Sequence, residues 1–351
     1  MAKLLTLTRL LVLKMPAWVS ALWYLGRRVK KDGLTLNAKV QLLCKFADSI
    51  RTPPIDGLTP ELSRQQINKF SKLFGAGEVP LNNITDRNIP GPKNSIPVRI
   101  YSPFKQSAEP LPALLYFHGG GWVQGSIETH DTICRLLALY SGGLVFSVDY
   151  ALAPENKFPA AVNDCLTAFT WVKVHAKELN ADPRLIAVGG DSSGGNLAAV
   201  LCQQTPKDTC PMFQLLFYPA LDGRLSSHSH TVFKSGFFLT REKIDWFLEQ
   251  YTEDFKAQRE DPRLSPSEQT DLYGQPPALI ITAGFDPLRD EAYDYHTRLL
   301  DSGVKSEYLQ YDTMVHAFLN MAGVINQGND ALVHAGKSLR MAWNNKRLNL
   351  P

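Results

Sequence analysis

Leu185-Ile186-Ala187-Val188-Gly189-Gly190-Asp191-Ser192-Ser193-Gly194-Gly195-Asn196-Leu197-Ala198-Ala199-Val200-Leu201 is the stretch from which the fold is read. It opens as a short apolar run of the kind that forms a buried strand, breaks at glycines, and continues with helical spacing. Gly190 to Gly194 spells G-x-S-x-G, a weak signal alone and a strong one on a strand-to-helix turn. The turn must hold a hydroxyl at a tip with strained dihedrals. Glycines two residues to either side remove the Cβ atoms that would clash where strand and helix pass closely. Ser192 has both glycines, whereas Ser193 would need one at 191, where Asp stands. Ser192 is therefore the expected nucleophile. The Ser193 amide opens the helix, where developing negative charge is favoured. A purely structural glycine turn is the alternative.

Outward from this turn, apolar runs alternate with helical stretches. The runs are Ala113–Phe117, Leu144–Val148, Phe213–Phe217, Ala278–Thr282 and Glu307–Tyr311, with an alternating strand at Pro97–Tyr101. Continuous apolar strands between helices predict a mostly parallel sheet covered on both faces. Residues 1–75 read as mostly helical, punctuated at Arg51-Thr52-Pro53-Pro54 and Asp56-Gly57, with a helix start at Thr59-Pro60-Glu61. Residues 221–265 carry no clear strand and one helix, Thr240–Asp254, and are too long for an ordinary crossover. The expected organisation is an N-terminal cap part over 1–75, a first core part over 76–220, a cap insertion over 221–265 and a second core part over 266–351.

His118-Gly119-Gly120-Gly121-Trp122 follows the run Ala113–Phe117. Three consecutive glycines free the backbone to aim N–H groups at one point, as the oxyanion of a tetrahedral intermediate requires. Gly119, Gly120 and the Ser193 amide are the expected donors, His118 the residue that holds the loop, and Trp122 a pocket or lid contact. A phosphate-cradling loop is the rival, but no Lys-Ser/Thr follows and the spacing fits neither nucleotide fingerprint. A serine nucleophile needs a base and the base an orienting carboxylate. His316 follows the run Glu307–Tyr311 and Asp286 follows Ala278–Thr282, so both fall at strand carboxyl ends, where open α/β sheets carry their chemistry. The chain order Ser192, Asp286, His316 is the one this fold uses. Asp290 and Asp294 compete for the acid but fall inside the next helix. His334 falls in the last helix, and His130 is the other histidine near the glycine loop.

These residues resemble the hormone-sensitive-lipase-like family of α/β-hydrolases, which includes the bacterial family IV carboxylesterases. The resemblance rests on His118–Trp122, Asp149-Tyr150-Ala151-Leu152-Ala153-Pro154-Glu155, Gly190–Gly195, Asp261-Pro262-Arg263-Leu264-Ser265-Pro266, Asp286-Pro287-Leu288-Arg289-Asp290-Glu291 and His316. It covers most of residues 85–351. It implies an α/β-hydrolase fold with an eight-stranded, mostly parallel sheet, helices on both faces and a helical cap, with no cofactor and no metal. It further implies esters of short to medium acyl chains as substrates, Ser192 as nucleophile, Asp286 as acid, His316 as base and Glu155 as a supporting residue near the nucleophile turn. The sequence departs from the family at Ala151, where Arg is frequent, at Ser193, where Ala is, and at Ala317, where Gly is. Ala151 puts a family salt bridge in doubt; Ser193 supplies its amide whatever its side chain.

Composition sets the remaining bounds. The 351 residues suffice for one large α/β domain with a cap. A net charge of +3 is too small to imply a nucleic-acid partner, and none is expected. Residues 1–40 hold eight basic residues and one acid, hence +7, and the remainder +3 − 7 = −4. That basic segment, interleaved with Leu, Trp and Tyr, reads as a solvated helix packed on the protein or as a weak contact with an anionic membrane surface. Arg9 and Lys14 interrupt the apolar stretch a signal peptide would need, and the run Met15–Leu25 is short for a membrane span. Five scattered cysteines without a C-x-x-C pair suit a reducing compartment. The expected setting is cytoplasmic, with membrane-associated or exported forms as alternatives and a homodimer among the allowed assemblies. The expected activity is a serine carboxylesterase acting through an acyl-enzyme. Its rivals are an amidase or peptidase with the same three residues, a lipase on emulsified long-chain fat, and a non-catalytic small-molecule receptor.

Overall fold

The computed structural model of the protein describes residues 17–24, 27–50, 55–105, 107 and 109–348. The basic residues Lys3, Arg9 and Lys14 and the turn expected at 51–54 lie outside them.

In chain order the elements are α1 (Ala17–Tyr24), β1 (Lys30–Lys31), β2 (Leu34–Thr35), α2 (Ala38–Ile50), α3 (Pro60–Phe74), β3 (Asn83–Ile89), β4 (Ile96–Ser102), β5 (Leu111–Phe117), α4 (Asp131–Ser141), β6 (Leu144–Val148), α5 (Ala160–Val174), β7 (Ala181–Asp191), α6 (Ser193–Gln204), β8 (Gln214–Phe217), α7 (His228–Val232), α8 (Arg241–Tyr251), α9 (Phe255–Gln258), β9 (Ala278–Phe285), α10 (Arg289–Asp301), β10 (Ser306–Val315) and α11 (Asn326–Leu348). β3 to β10 form one eight-stranded sheet in the order β10-β9-β8-β7-β5-β6-β4-β3. β3 pairs antiparallel with β4, and β4 with β6; the other pairings are parallel.

Strand alternation divides the core. Ala113, Leu115 and Phe117 face one hydrophobic layer, completed by α5, α6, α8 and α10; Leu114 and Tyr116 face the other, completed by α2, α4 and α11. A sheet buried on both faces has no polar side, which is why its strands read as unbroken apolar runs. The exception is β3, which was not expected. It is an edge strand, its residues are polar and mostly exposed, and only Ile89 is buried. Its register is fixed by seven pairs with β4, including Asp86 opposite Arg99, whose guanidinium donates to that carboxylate at 2.7 Å. The N-terminal segment is also less uniformly helical than expected. Asp32-Gly33, with φ of 53° and 73°, turns a small hairpin between β1 and β2, a sequence signature for a tight turn.

The helix expected to start at Thr59-Pro60-Glu61 is present, and the one expected over Thr240–Asp254 ends at Tyr251. Thr59 caps α3, its side chain accepting from the Leu62 amide at 3.3 Å with Pro60 in the first turn. Thr240 caps α8 in the same way, through Lys243 N at 3.2 Å. Both helices, with Leu225 and Phe238 of the segment between β8 and β9, line one cavity of about 510 Å³ over the carboxyl ends of the parallel strands.

What positions the site is the contact between α6 and β5. A Cβ on Gly190 or Gly194 would overlap the carbonyl oxygen of Phe117, the last residue of β5. Gly194→Ala is therefore expected to destabilise the fold by about 3 kcal/mol, read as a lowered urea midpoint. An unchanged midpoint would mean that the helix does not pass so close to the strand.

Candidate active site

Ser192 joins β7 to α6 with φ 54° and ψ −119°, a conformation costly for any residue with a Cβ. The surroundings hold it there. Its N–H donates to Phe217 O at 2.9 Å, and its carbonyl accepts from Asn196 N at 3.0 Å and Ala220 N at 3.2 Å. Asp286 follows β9 and His316 follows β10, which runs to Val315 rather than stopping at Tyr311. His316 Nε2 lies 2.9 Å from Ser192 Oγ, and His316 Nδ1 lies 2.8 Å from Asp286 Oδ2. A carboxylate can only accept, so Nδ1 carries a proton toward Asp286 and neutral Nε2 is left to accept from the hydroxyl. Asp286 is fully buried, its other oxygen accepting Leu288 N at 2.9 Å, while Ser192 opens into the cavity. Three residues separated by up to 124 positions thus form one hydrogen-bonded relay. Ala317, next to the histidine, sits at φ 61°, which explains why glycine suits that position.

The glycine loop is ordered carbonyl by carbonyl. His118 O accepts Tyr150 Oη at 2.6 Å, Gly119 O accepts His118 Nδ1 at 2.9 Å, and Gly120 O accepts Val123 N and Gln124 N at 3.2 and 3.1 Å. In a trans peptide the N–H points opposite to the C=O. Fixing these carbonyls therefore turns the N–H groups of Gly119, Gly120 and Gly121 the other way. The first is already taken, since Gly119 N donates to Asp191 Oδ1 at 2.9 Å. This corrects the expectation for Gly119: its amide braces the loop and is not available to a substrate oxygen. Among the described residues no acceptor is found for the amides of Gly120, Gly121 and Ser193, and all three residues line the cavity with Ser192. The sequence shows three glycines but not which amide the fold has already used.

Asp191, hidden at the variable position before the serine, was not singled out. It is buried and accepts Tyr116 Oη at 2.7 Å, with His130 Nε2 3.3 Å from its carboxylate. Burial alone would raise its pKa. The neighbouring His130, the Tyr116 hydroxyl and the Gly119 amide outweigh that and hold it below the ordinary aspartate value. His130 is thus part of the brace behind the nucleophile and makes no contact with the hydroxyl among the described bonds. His118 is buried, stacked on Tyr150 with ring centroids 4.4 Å apart, and burial lowers its pKa to about 3. It is neutral at ordinary pH and serves as the loop-holding donor expected of it. Trp122 lines the cavity and stacks on Tyr251 of α8 at 4.6 Å.

Among the described residues no bond joins Glu155 to the turn at Ser192. Glu155 is half exposed at the surface and binds Arg64 of α3 through both oxygens, at 2.8 and 2.6 Å. With Ala at 151, the cation beside Glu155 comes from α3. Asp290 and Asp294 lie within α10 and His334 within α11, paired with Glu307 at 3.0 Å. All five cysteines are free, four of them buried. No helix among the described residues is long and apolar enough to cross a membrane.

A family model described as the alpha/beta hydrolase fold matches residues 114–320. The chain is 40% identical over 307 residues to carboxylic ester hydrolase LipN of Mycobacterium tuberculosis, spanning 84% of this chain and 80% of the relative. It is 33% identical over 310 residues to an ethyl acetate hydrolase of Pseudomonas putida, spanning 87% and 97%. The crystallised hyperthermophilic esterase from Pyrobaculum calidifontis superposes with a TM-score of 0.81 at 38% identity, covering 87% of this chain and 97% of that one.

The depressed Asp191 pKa carries a stability prediction. A carboxylate whose folded pKa lies below its unfolded value stabilises the fold above about pH 4, and the contribution fades as pH falls through the lower value. Wild-type unfolding free energy should therefore decline more steeply on acidification below about pH 4 than that of Asp191→Asn, measured by denaturant titration across that range. Parallel curves would contradict the depressed value.

Proposed function

The chain belongs to the α/β-hydrolase family, in its hormone-sensitive-lipase-like group, and is a carboxylic ester hydrolase; we propose that Ser192, His316 and Asp286 carry the reaction, with the amides of Gly120, Gly121 and Ser193 as the oxyanion hole. The observation that carries this reading is the 2.9 Å contact between His316 Nε2 and Ser192 Oγ, backed by the 2.8 Å contact between His316 Nδ1 and Asp286.

His316 Nε2 accepts the Ser192 proton as the hydroxyl oxygen attacks the ester carbonyl carbon. The carbonyl oxygen becomes an anion, which the three amides receive. Collapse of the tetrahedral intermediate breaks the bond to the alcohol, and His316 returns its proton to the departing oxygen. Water then attacks the acyl-enzyme by the same route and frees the acid and Ser192. Asp286 holds the imidazole tautomer and stabilises the imidazolium formed twice per cycle.

We also propose a division into a cap of residues 1–75 and 221–265 and a core of 76–220 and 266–351, with α3 of the first segment lining the cavity while α2 packs in the core layer with α4 and α11. The cavity supports this division, since Leu62 and Phe70 face Leu239 and Ile244 across it with the nucleophile at its floor. An apolar cavity of about 510 Å³ suits a short to medium acyl chain. At the N-terminus, Trp18 and Leu22 are 65% and 58% exposed on α1, and exposed Lys30 and Lys31 follow. This pairing of apolar and basic groups supports a contact with an anionic lipid surface. Co-sedimentation with phosphatidylserine vesicles, lost in the Trp18→Ala/Leu22→Ala double variant, is the expected result; equal sedimentation of the two proteins would refute it.

Ser192→Ala should lower kcat on p-nitrophenyl butyrate by roughly 10⁴- to 10⁶-fold without shifting the unfolding midpoint. Activity within tenfold of wild type would remove Ser192 from the mechanism. The matching anilide should be cleaved far more slowly than the ester, and comparable rates would favour an amidase.

A further inference from the structure

We propose that Arg64, on α3 and outside the catalytic residues, is a positioning residue that aims the oxyanion hole; this rests on the ester-hydrolase reading of the Ser192 site. Its guanidinium makes four bonds. Two go to Glu155. The others go to backbone: Nε donates to Val123 O at 2.9 Å and an Nη to Ala153 O at 3.0 Å. Glu155 is 52% exposed and Arg64 28%, so the ion pair by itself contributes little to stability. The carbonyl bonds are what single Arg64 out.

From Val123 a continuous chain of peptides leads to the substrate. Arg64 fixes the Val123 carbonyl. The same peptide's N–H, on Gln124, donates to Gly120 O at 3.1 Å. The Gly120 peptide then presents its own N–H, on Gly121, in the opposite direction, and Gly121 lines the cavity together with Ser192. A cation at one end of such a chain orients each peptide dipole and strengthens each bond in the same sense. The Gly121 amide at the far end is thereby both aimed and made a better donor. Gly120 and Gly121 have φ of 128° and 61°, regions in which an unbraced glycine has many neighbouring conformations.

A second link binds the same turn of α3 to this loop. Ser63 Oγ donates to Gln124 Oε1 at 2.5 Å and receives Lys243 Nζ of α8 at 3.1 Å. The Phe247 ring of α8 occupies the space a Cβ on Gly121 would take. Both cap segments therefore converge on the loop that holds the proposed oxyanion donors, and Arg64 bonds directly to that loop's backbone at Val123. A cap docked through Arg64 completes the catalytic geometry; a cap held only by apolar packing would leave the amides less well aimed.

The test compares wild type, Arg64→Ala, Arg64→Lys and Glu155→Ala on p-nitrophenyl butyrate, with an aryl trifluoromethyl ketone as a tetrahedral inhibitor and thermal unfolding as control. Removing an oxyanion donor outright costs about 10²- to 10³-fold, and misaiming one should cost less. Arg64→Ala is expected to lower kcat about 10- to 100-fold with KM within about threefold, and to weaken the ketone by a similar factor. Arg64→Lys should recover part of the loss, and Glu155→Ala, which leaves both carbonyl bonds intact, should lower kcat less than about fivefold. An Arg64→Ala kcat within twofold of wild type, or a loss confined to KM, would overturn the proposal. If Arg64→Ala does not fold, the decision passes to Arg64→Lys: a reduced kcat at a wild-type melting temperature supports the role and an unchanged kcat overturns it. Failure of the underlying reading would look different, as ester hydrolysis that survives Ser192→Ala.

Discussion

The site depends on one steric constraint: helix α6 crosses the end of β5 with no room for a side chain on Gly190 or Gly194. That approach forces the turn between β7 and α6 to be short, and the short turn drives Ser192 into its strained conformation at the tip. The same approach brings the start of the glycine loop, which continues from β5, against Asp191. One packing contact therefore sets Ser192 beside the glycine loop whose amides are the proposed oxyanion donors. The sheet supplies the rest. β9 and β10 are parallel neighbours, so the residues that follow them, Asp286 and His316, emerge at the same end and within bonding reach.

Within this frame the chemistry is mostly electrostatic preparation. The carbonyls of His118, Gly119 and Gly120 are each bonded to a donor of the protein; the last two bonds turn the Gly120 and Gly121 amides away toward the cavity, and the Gly119 amide is held by Asp191. Donors held before the substrate arrives need no reorganisation when the oxyanion forms. The buried carboxylate of Asp191 is satisfied by three partners, which keeps it charged at ordinary pH and lets it anchor the Gly119 amide. The neutral, buried His118 shows that a histidine in a catalytic loop can serve as a hydrogen-bond strut.

Much of this was legible in the chain. The convergence of Ser192, Asp286 and His316 could be read because each is tied to a strand end, and buried strands announce themselves as apolar runs. The start of α3 could be read from Thr59-Pro60-Glu61. The unread parts share a cause. β3 is polar because it is an edge strand with one buried residue, so no periodicity marks it. Gly121 was passed over for Gly119 because three adjacent glycines look alike until a buried carboxylate claims one amide. Arg64 and Glu155 are 91 positions apart, and neither lies in a pattern that names the other. Long-range pairing between polar residues leaves no periodic trace, whereas backbone geometry and burial do.

The measurement closest to the central claim is covalent trapping by an aryl alkylphosphonate, followed by mass spectrometry of the intact chain and its peptides. Convergence of Ser192, His316 and the amide donors predicts one adduct per chain, on the peptide containing Ser192, forming in step with the loss of ester hydrolysis. Adducts at another residue, or full inactivation with Ser192 unmodified, would contradict it.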